Sequence, residues 1–255
     1  MVLSSTILYT TRIYNDFKLS DFIFGNCKIY FNEILLGLLC GFIIGAKGIC
    51  QKYSKNIDND TFNNGIFLSS NAGIGFVIGC VGCVIYQDVI FGIYLYLAQI
   101  ISCILIYKTL EKRGNKCNIG VNESNSLGLF NGIVKSIKAS TTTILTVCSF
   151  NVFFSTLCDL IIKLFNLKQS SICSIILTVL FDFSRGAFAI NNFTYIYACG
   201  FLTGFCVGFG GICVYMQICA ECEGYPFKQM RFFIMKLLQG ILCGILCLIY
   251  FKIIK

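Results

Sequence analysis

One glycine-studded string occurs twice in this chain. Gly37-Leu-Leu-Cys-Gly-Phe-Ile-Ile-Gly-Ala-Lys-Gly-Ile-Cys50 returns as Gly200-Phe-Leu-Thr-Gly-Phe-Cys-Val-Gly-Phe-Gly-Gly-Ile-Cys213, and eight of fourteen aligned positions are identical. Both copies are apolar segments interrupted by glycine. In a membrane chain, paired segments of this kind in corresponding halves point to a transporter's binding site. The same spacing, at Gly41/Gly45 and Gly204/Gly208, also suits close packing of helices through small residues. Both uses stay open at the level of sequence.

The composition places the string in a bilayer. Of 255 residues, 56% are hydrophobic and 13% charged, with a mean hydropathy of +0.79. Soluble domains carry about 25% charged residues. The expected fold is therefore all-α: a polytopic membrane protein with six to seven membrane segments, inverted glycine-rich repeats and re-entrant hairpins as an option. The opening residues lack a basic stretch followed by a long apolar run, so insertion is expected to rest on the spans.

Histidine is absent, which removes the commonest metal ligand and general base. The 17 cysteines read mainly as small, soft apolar residues at helix interfaces. Two Cys-x-x-Cys pairs, Cys80/Cys83 and Cys219/Cys222, leave thiol redox or zinc chemistry as a minor alternative. No catalytic constellation is visible, so neither an enzyme nor a cofactor or metal is expected. The formal charge of +8 reads as an orienting charge in a membrane chain, not as a nucleic-acid footprint.

Along the chain, residues 1–33 read as an interfacial segment. Apolar segments follow at 34–50, 66–86, 89–107, 141–165, 172–190, 195–219 and 237–250, with an amphipathic approach helix at 131–140 carrying Lys135 and Lys138. The expected halves are 34–116 and 117–255. Lys108 to Lys116 is the most basic loop, and the positive-inside rule puts it in the cytoplasm. If every segment crosses once, the two glycine copies run in opposite directions. That count places Lys252 and Lys255 with the basic loop, but Lys228 and Arg231 on the other side.

Several polar residues stand inside these apolar segments. Lys47 is a cation near the end of the first copy, where a charge faces a cavity or snorkels to the interface. Ser69, Ser70, Asn71 and Gly73 break a helix at membrane depth, which is tolerated where the backbone is buried or lines a cavity. Asp182 and Arg185 are three apart and would pair on one helix face, or else form a short turn before Gly186. Gly208, Gly210 and Gln217 complete the candidate substrate site. Gln99, Asn151 and Asp159 read as interhelical glue.

Gly41-Phe-Ile-Ile-Gly-Ala-Lys47, Ser69-Ser-Asn-Ala-Gly-Ile-Gly-Phe-Val-Ile-Gly79, Gly208-Phe-Gly-Gly-Ile-Cys-Val-Tyr-Met-Gln217 and Lys236-Leu-Leu-Gln-Gly240 together resemble the sporulation integral membrane protein YlbJ family. That family carries the nucleoside-recognition Gate domain and is similar to concentrative nucleoside transporters. The resemblance spans roughly residues 33–252. It implies an endospore-forming bacterium and a protein of the outer forespore membrane. The implied function is transport of dipicolinic acid, a planar dianion for which Lys47 and Arg185 would be suitable partners. Nucleoside transport and a non-transporting role in assembly are the alternatives. Expected partners are the lipid bilayer, a small anionic or nucleoside-like solute and, as an option, a second copy of the chain. The family's proline after Ala-Gly is replaced by Ile74, its Tyr-Pro pair by Phe42-Ile43, and a histidine by Gln99. Family members also have more N-terminal spans than residues 1–33 supply.

Overall fold

The computed structural model describes residues 25–53, 57–110, 129–168, 171–190 and 195–254. Every extended element among them is helical. A bilayer leaves few other options, because each backbone N–H and C=O must find its partner inside the protein. After a short 3-10 turn at Gly25–Tyr30 come α1 (Phe31–Cys40), α2 (Phe42–Lys52) and α3 (Asn59–Ser69). A π-wound helix follows at Gly75–Ile85, then α4 (Val89–Leu110), α5 (Leu129–Leu164), α6 (Ile172–Phe181) and α7 (Phe183–Ile190). The chain ends with α8 (Ile196–Phe209), α9 (Gly211–Glu221) and α10 (Gln229–Ile254).

Among the described residues, four helical stretches are long and apolar enough to cross a membrane: Val89–Leu110, Thr141–Leu164, Tyr197–Glu221 and Gln229–Ile253. Their outward side chains are mainly apolar, with Ile90, Ile101 and Leu105 on α4, Val152 and Leu160 on α5, and Ile249 on α10 all exposed. Such a surface suits lipid and not water. The protein is thus all-helical and built for a membrane. The approach helix and the span expected around residues 131–165 are one continuous helix, α5. The N-terminal segment before Gly25 and the basic loop beyond Leu110 lie outside the described residues, as do Lys255 and the side chains of Lys135 and Lys138.

The 26 residues of α10 make a ruler about 39 Å long. At its start, Lys228 and Arg231 both pair with Asp60 at the head of α3, at 2.7 and 2.8 Å. At its end, Phe251 packs on Tyr86 and Phe91, with centroids 6.0 and 4.9 Å apart. The chain from Asn59 to Tyr86 therefore runs the length of α10, despite the break between α3 and the π-wound helix. Running the other way, α4 begins beside Tyr250 and ends where Arg231 donates to the Leu110 carbonyl, at 3.3 Å. Helix α8 also descends along α10. A Cβ on Gly204 would lie 2.6 Å from the Cys243 carbonyl oxygen, and one on Gly208 2.9 Å from Gly240 Cα. The second glycine copy is thus first of all a helix-packing face.

The first copy folds differently. Its chain reverses at Gly41, whose φ of 112° is open to glycine. Helices α1 and α2 lie against each other so closely that a Cβ on Gly45 would sit 2.9 Å from Gly37 Cα. The open ends of this hairpin are tied by a Lys52–Glu33 ion pair. A second hairpin, α6–α7, reverses at Asp182, and a Cβ on its Gly186 would come within 2.7 Å of Val179 Cα. The first opens toward the start of α10, where Tyr53 meets Phe62 and Tyr225. The second opens toward the end of α10, where the Ile190 carbonyl accepts from Cys199 at 3.6 Å.

Two expectations are corrected here. Residues 34–50 are not one crossing but two arms of a hairpin, because the Gly41 backbone cannot continue a right-handed helix. Folding back of 31–52 and 172–190 also changes the crossing count. Lys228 and Arg231 lie at the same end of the fold as Lys108, while Lys252 lies at the opposite end.

Cys50 at the end of α2 faces Cys222 beyond α9, with the buried sulfurs 3.7 Å apart. The hydrogen bond that the Cys222 thiol shares with Cys50, which favours its protonated form, and then burial push that thiol above its usual range. Oxidation of the purified protein with copper phenanthroline is expected to join Cys50 to Cys222, because their sulfurs are already in contact. Peptide mapping that instead finds Cys222 bonded to Cys219 would contradict this placement of the first hairpin.

Candidate functional site

Four interruptions of helical backbone meet in the interior. They are the hairpin reversals at Gly41 and Asp182 and the in-line breaks at Ser70–Gly73 and Gly210–Gly211. Gly73 approaches Gly41: a Cβ there would lie 3.1 Å from the Gly41 nitrogen. Gly211 approaches the other hairpin, with its would-be Cβ 3.2 Å from both the Phe181 oxygen and the Phe183 nitrogen. Both Gly210 (φ 82°) and Gly211 (φ 79°) need the left-handed region that glycine tolerates. Across the centre, the Phe183 ring packs edge-on against Phe42 and Phe76, with centroids 5.1 and 4.8 Å apart.

Beside this aromatic contact lies a cavity of about 420 Å³, a size typical of small-molecule sites. Its walls come from α1, α2, the residues after the first break, α5, α7 and α9. They are largely apolar, with Phe42, Phe76, Val147, Phe183 and Val214 prominent. Polar side chains are few and uncharged: Thr143, Asn151, Ser184 and Gln217. Gln217 donates to Asn151 Oδ1 at 3.1 Å and to the Val147 carbonyl at 3.3 Å, while Cys213 donates to the same Asn151 oxygen at 3.0 Å.

Of the residues expected from sequence, Gly73 and Gln217 line the cavity. Gly210 abuts the Phe42 ring at the cavity's edge, and Gly208 is spent on packing against α10. Lys47 is partly exposed. Its ammonium donates to Thr143 Oγ1 and lies 3.7 Å from Glu221, so it is linked to the cavity through Thr143. Asp182 and Arg185 do not pair through their side chains, which corrects the one-face expectation. Asp182 stands in extended backbone before α7 and caps it, accepting from the Ser184 N–H at 2.9 Å and the Ser184 hydroxyl at 2.6 Å. With Asp182 off the helix, the three-residue spacing no longer sets a shared face. The Arg185 guanidinium turns to α5, bonding Asp159 at 2.7 Å and Ser155 Oγ at 2.6 Å.

Ser69, Ser70 and Asn71 are fully buried behind the cavity. Here the structure adds Lys236 and Gln239, which stand in one of the motifs that carry the resemblance but not among the site residues expected from sequence. Lys236 on α10 donates to the Ser70 carbonyl and to Gln239 Oε1, the latter at 2.9 Å. Gln239 donates in turn to Asn71 Oδ1 at 2.7 Å, and Gln99 to the Ala72 carbonyl at 3.3 Å. A signal for Lys236 was present, because a lysine beside a long apolar run is a functional flag in a membrane chain. Starting the last span at Leu237 hid it, whereas α10 begins eight residues earlier, at Gln229. Thr143 and Ser184 carried no comparable signal, since single hydroxyls are common in membrane helices. Comparison of the chain with protein-family models, with curated proteins and with solved structures gives no match in any of the three.

Proposed function

We propose that this protein is a membrane transporter that moves a small planar solute by alternating access around the central cavity. The carrying observation is the convergence of two hairpin tips and two broken helices on one mainly apolar cavity. Irregular backbone at membrane depth is costly unless it lines a site or is buried in protein, and broken helices at the midplane are a recurrent device of transporters.

The finer architecture belongs to the same proposal. Residues 31–110 give a hairpin, a broken span and a straight helix; residues 172–254 give the same series. With the first hairpin opening at one face and the second at the other, the two units are inverted in the bilayer, with α5 between them. This arrangement gathers Lys108, Lys228 and Arg231 at one face, which the positive-inside rule assigns to the cytoplasm. It pairs the first glycine copy with 172–190 in function and leaves the second copy as a broken span.

The substrate class follows from walls and resemblance together. Apolar and aromatic surface with amide and hydroxyl groups suits a planar ring bearing hydrogen-bonding substituents. Resemblance to the YlbJ family selects dipicolinate, and with it the outer forespore membrane. A dianion would draw on Lys47 through movement of its ammonium from Glu221 toward the cavity. The uncharged walls favour the nucleoside alternative.

The test is uptake by proteoliposomes of radiolabelled dipicolinate and of uridine in parallel. Saturable uptake of one is expected, and it identifies the class. If neither moves in either direction, the transport reading fails and the assembly role takes its place.

A further inference from the structure

Most carbonyl groups around the break between α3 and the π-wound helix accept hydrogen bonds. The Ile66 oxygen accepts from the Ser70 N–H at 3.1 Å and from the Ser69 and Ser70 hydroxyls at 3.1 and 2.6 Å. Leu68 accepts from the Asn71 side chain, Ser69 from the Asn71 N–H, and Ala72 from Gln99. Gly73 accepts from the N–H groups of Phe76 and Val77. Ser70 alone in this series takes a charged donor from another helix, the ammonium of Lys236.

That ammonium is 3% exposed as a residue, and among the described residues no carboxylate forms an ion pair with it. Its surroundings are those of a cation site. Besides the Ser70 and Gln239 oxygens, it faces the rings of Phe42 at 5.6 Å and Phe67 at 5.3 Å. The negative end of the α3 dipole points at it. Gln99 Oε1, also buried in this network, has no hydrogen-bond partner among the described residues. Unwound carbonyls and the C-terminal ends of half-helices are groups that hold a sodium ion or proton in broken-helix transporters. Here a side chain fills that position, and through Phe42 it touches the reversal of the first hairpin beside the cavity.

We propose that the Lys236 ammonium is a tethered cation that occupies the carbonyl-lined break at Ser70 in place of a diffusible monovalent metal ion, so that no sodium ion binds there. The inference deepens the transport reading by naming what stands where a coupling ion would sit. Lys236 acts by positioning the break against the hairpin tip and does not touch the solute.

Thermal unfolding of the purified protein in detergent tests it without any substrate. The native protein is expected to unfold at the same temperature in sodium chloride and in equal choline chloride. Lys236→Ala opens an oxygen-lined space and is expected to gain a sodium-specific rise in Tm of about 2–4 °C. Lys236→Gln supplies a second variant should Lys236→Ala not fold, and it is expected to show the same sodium-specific gain. Sodium-specific stabilisation of the native protein would overturn the proposal. So would folded variants that respond to sodium no more than to choline. Because the readout is stability, a negative result leaves the transport reading intact, and failed uptake leaves this test standing.

Discussion

Gly37→Val is expected to abolish folded protein, with no monodisperse peak on size exclusion after detergent extraction. A Cβ at this position would run into the Ser69 carbonyl oxygen and come within 2.9 Å of the Ser69 carbonyl carbon. Gly45, facing it in the other arm, is closed by the same neighbour: its would-be Cβ meets the Ser69 oxygen at 2.8 Å. Three stretches of backbone therefore touch at one point. Side chains can change rotamer to admit a methyl group, but these backbones are fixed by the hairpin and by the break behind it. Ordinary overpacking costs about 1–3 kcal/mol. Forcing apart the hairpin and the broken span should cost above about 4 kcal/mol. Gly79→Ala is the matched control, because nothing lies within 4 Å of a Cβ there. Its Tm should stay near the native value. Native-like Tm for Gly37→Val would mean that the hairpin does not pack on α3 as described.

Gln217→Leu should separate function from fold in the opposite sense. The substitution removes the donor to Asn151 and Val147, but Asn151 Oδ1 keeps its bond from Cys213. No buried acceptor on Asn151 is orphaned, so the stability loss should stay near about 1 kcal/mol. The cavity, by contrast, loses one of its four polar side chains. A solute that hydrogen-bonds there should be taken up about tenfold more slowly. The measurement is initial uptake into proteoliposomes of whichever probe, dipicolinate or uridine, the native protein moves. Unchanged uptake at unchanged Tm would show that the solute does not pass Gln217, and the cavity would lose its role.

The two glycine strings show how far local sequence reaches. They share eight of fourteen positions, yet one is a hairpin and the other a helix packed on α10 and broken at its end. Gly41 reverses the chain, whereas its counterpart Gly204 lies inside α8. Glycine permits both conformations, so the choice falls to what each segment packs against. For the first copy that is Ser69 and Gly73; for the second it is Cys243, Cys247 and Gly240. Those neighbours are distant in sequence, and no pattern within the strings names them.

The polar residues divide in the same way. That Ser69 to Gly73 would interrupt a helix was legible, because hydroxyl, amide and glycine groups compete with helical hydrogen bonding. That Asp182 would prefer Ser184, and Arg185 would prefer Asp159, was not legible. The pairing depends on the reversal at Asp182, which turns a shared helix face into a cap and an outward arm.

By itself, then, the sequence determined the medium and the alphabet: a chain this apolar and this poor in charge becomes helices in lipid, with glycine and short polar runs marking where they can break. The tertiary structure decided which breaks reverse the chain and which merely bend it. It also decided which of the marked residues reach a common cavity. The reason is physical. Burial against lipid is a property of each segment's own composition, whereas a backbone break is stable only if distant residues, such as Lys236 for Ser70, arrive to satisfy the groups it exposes.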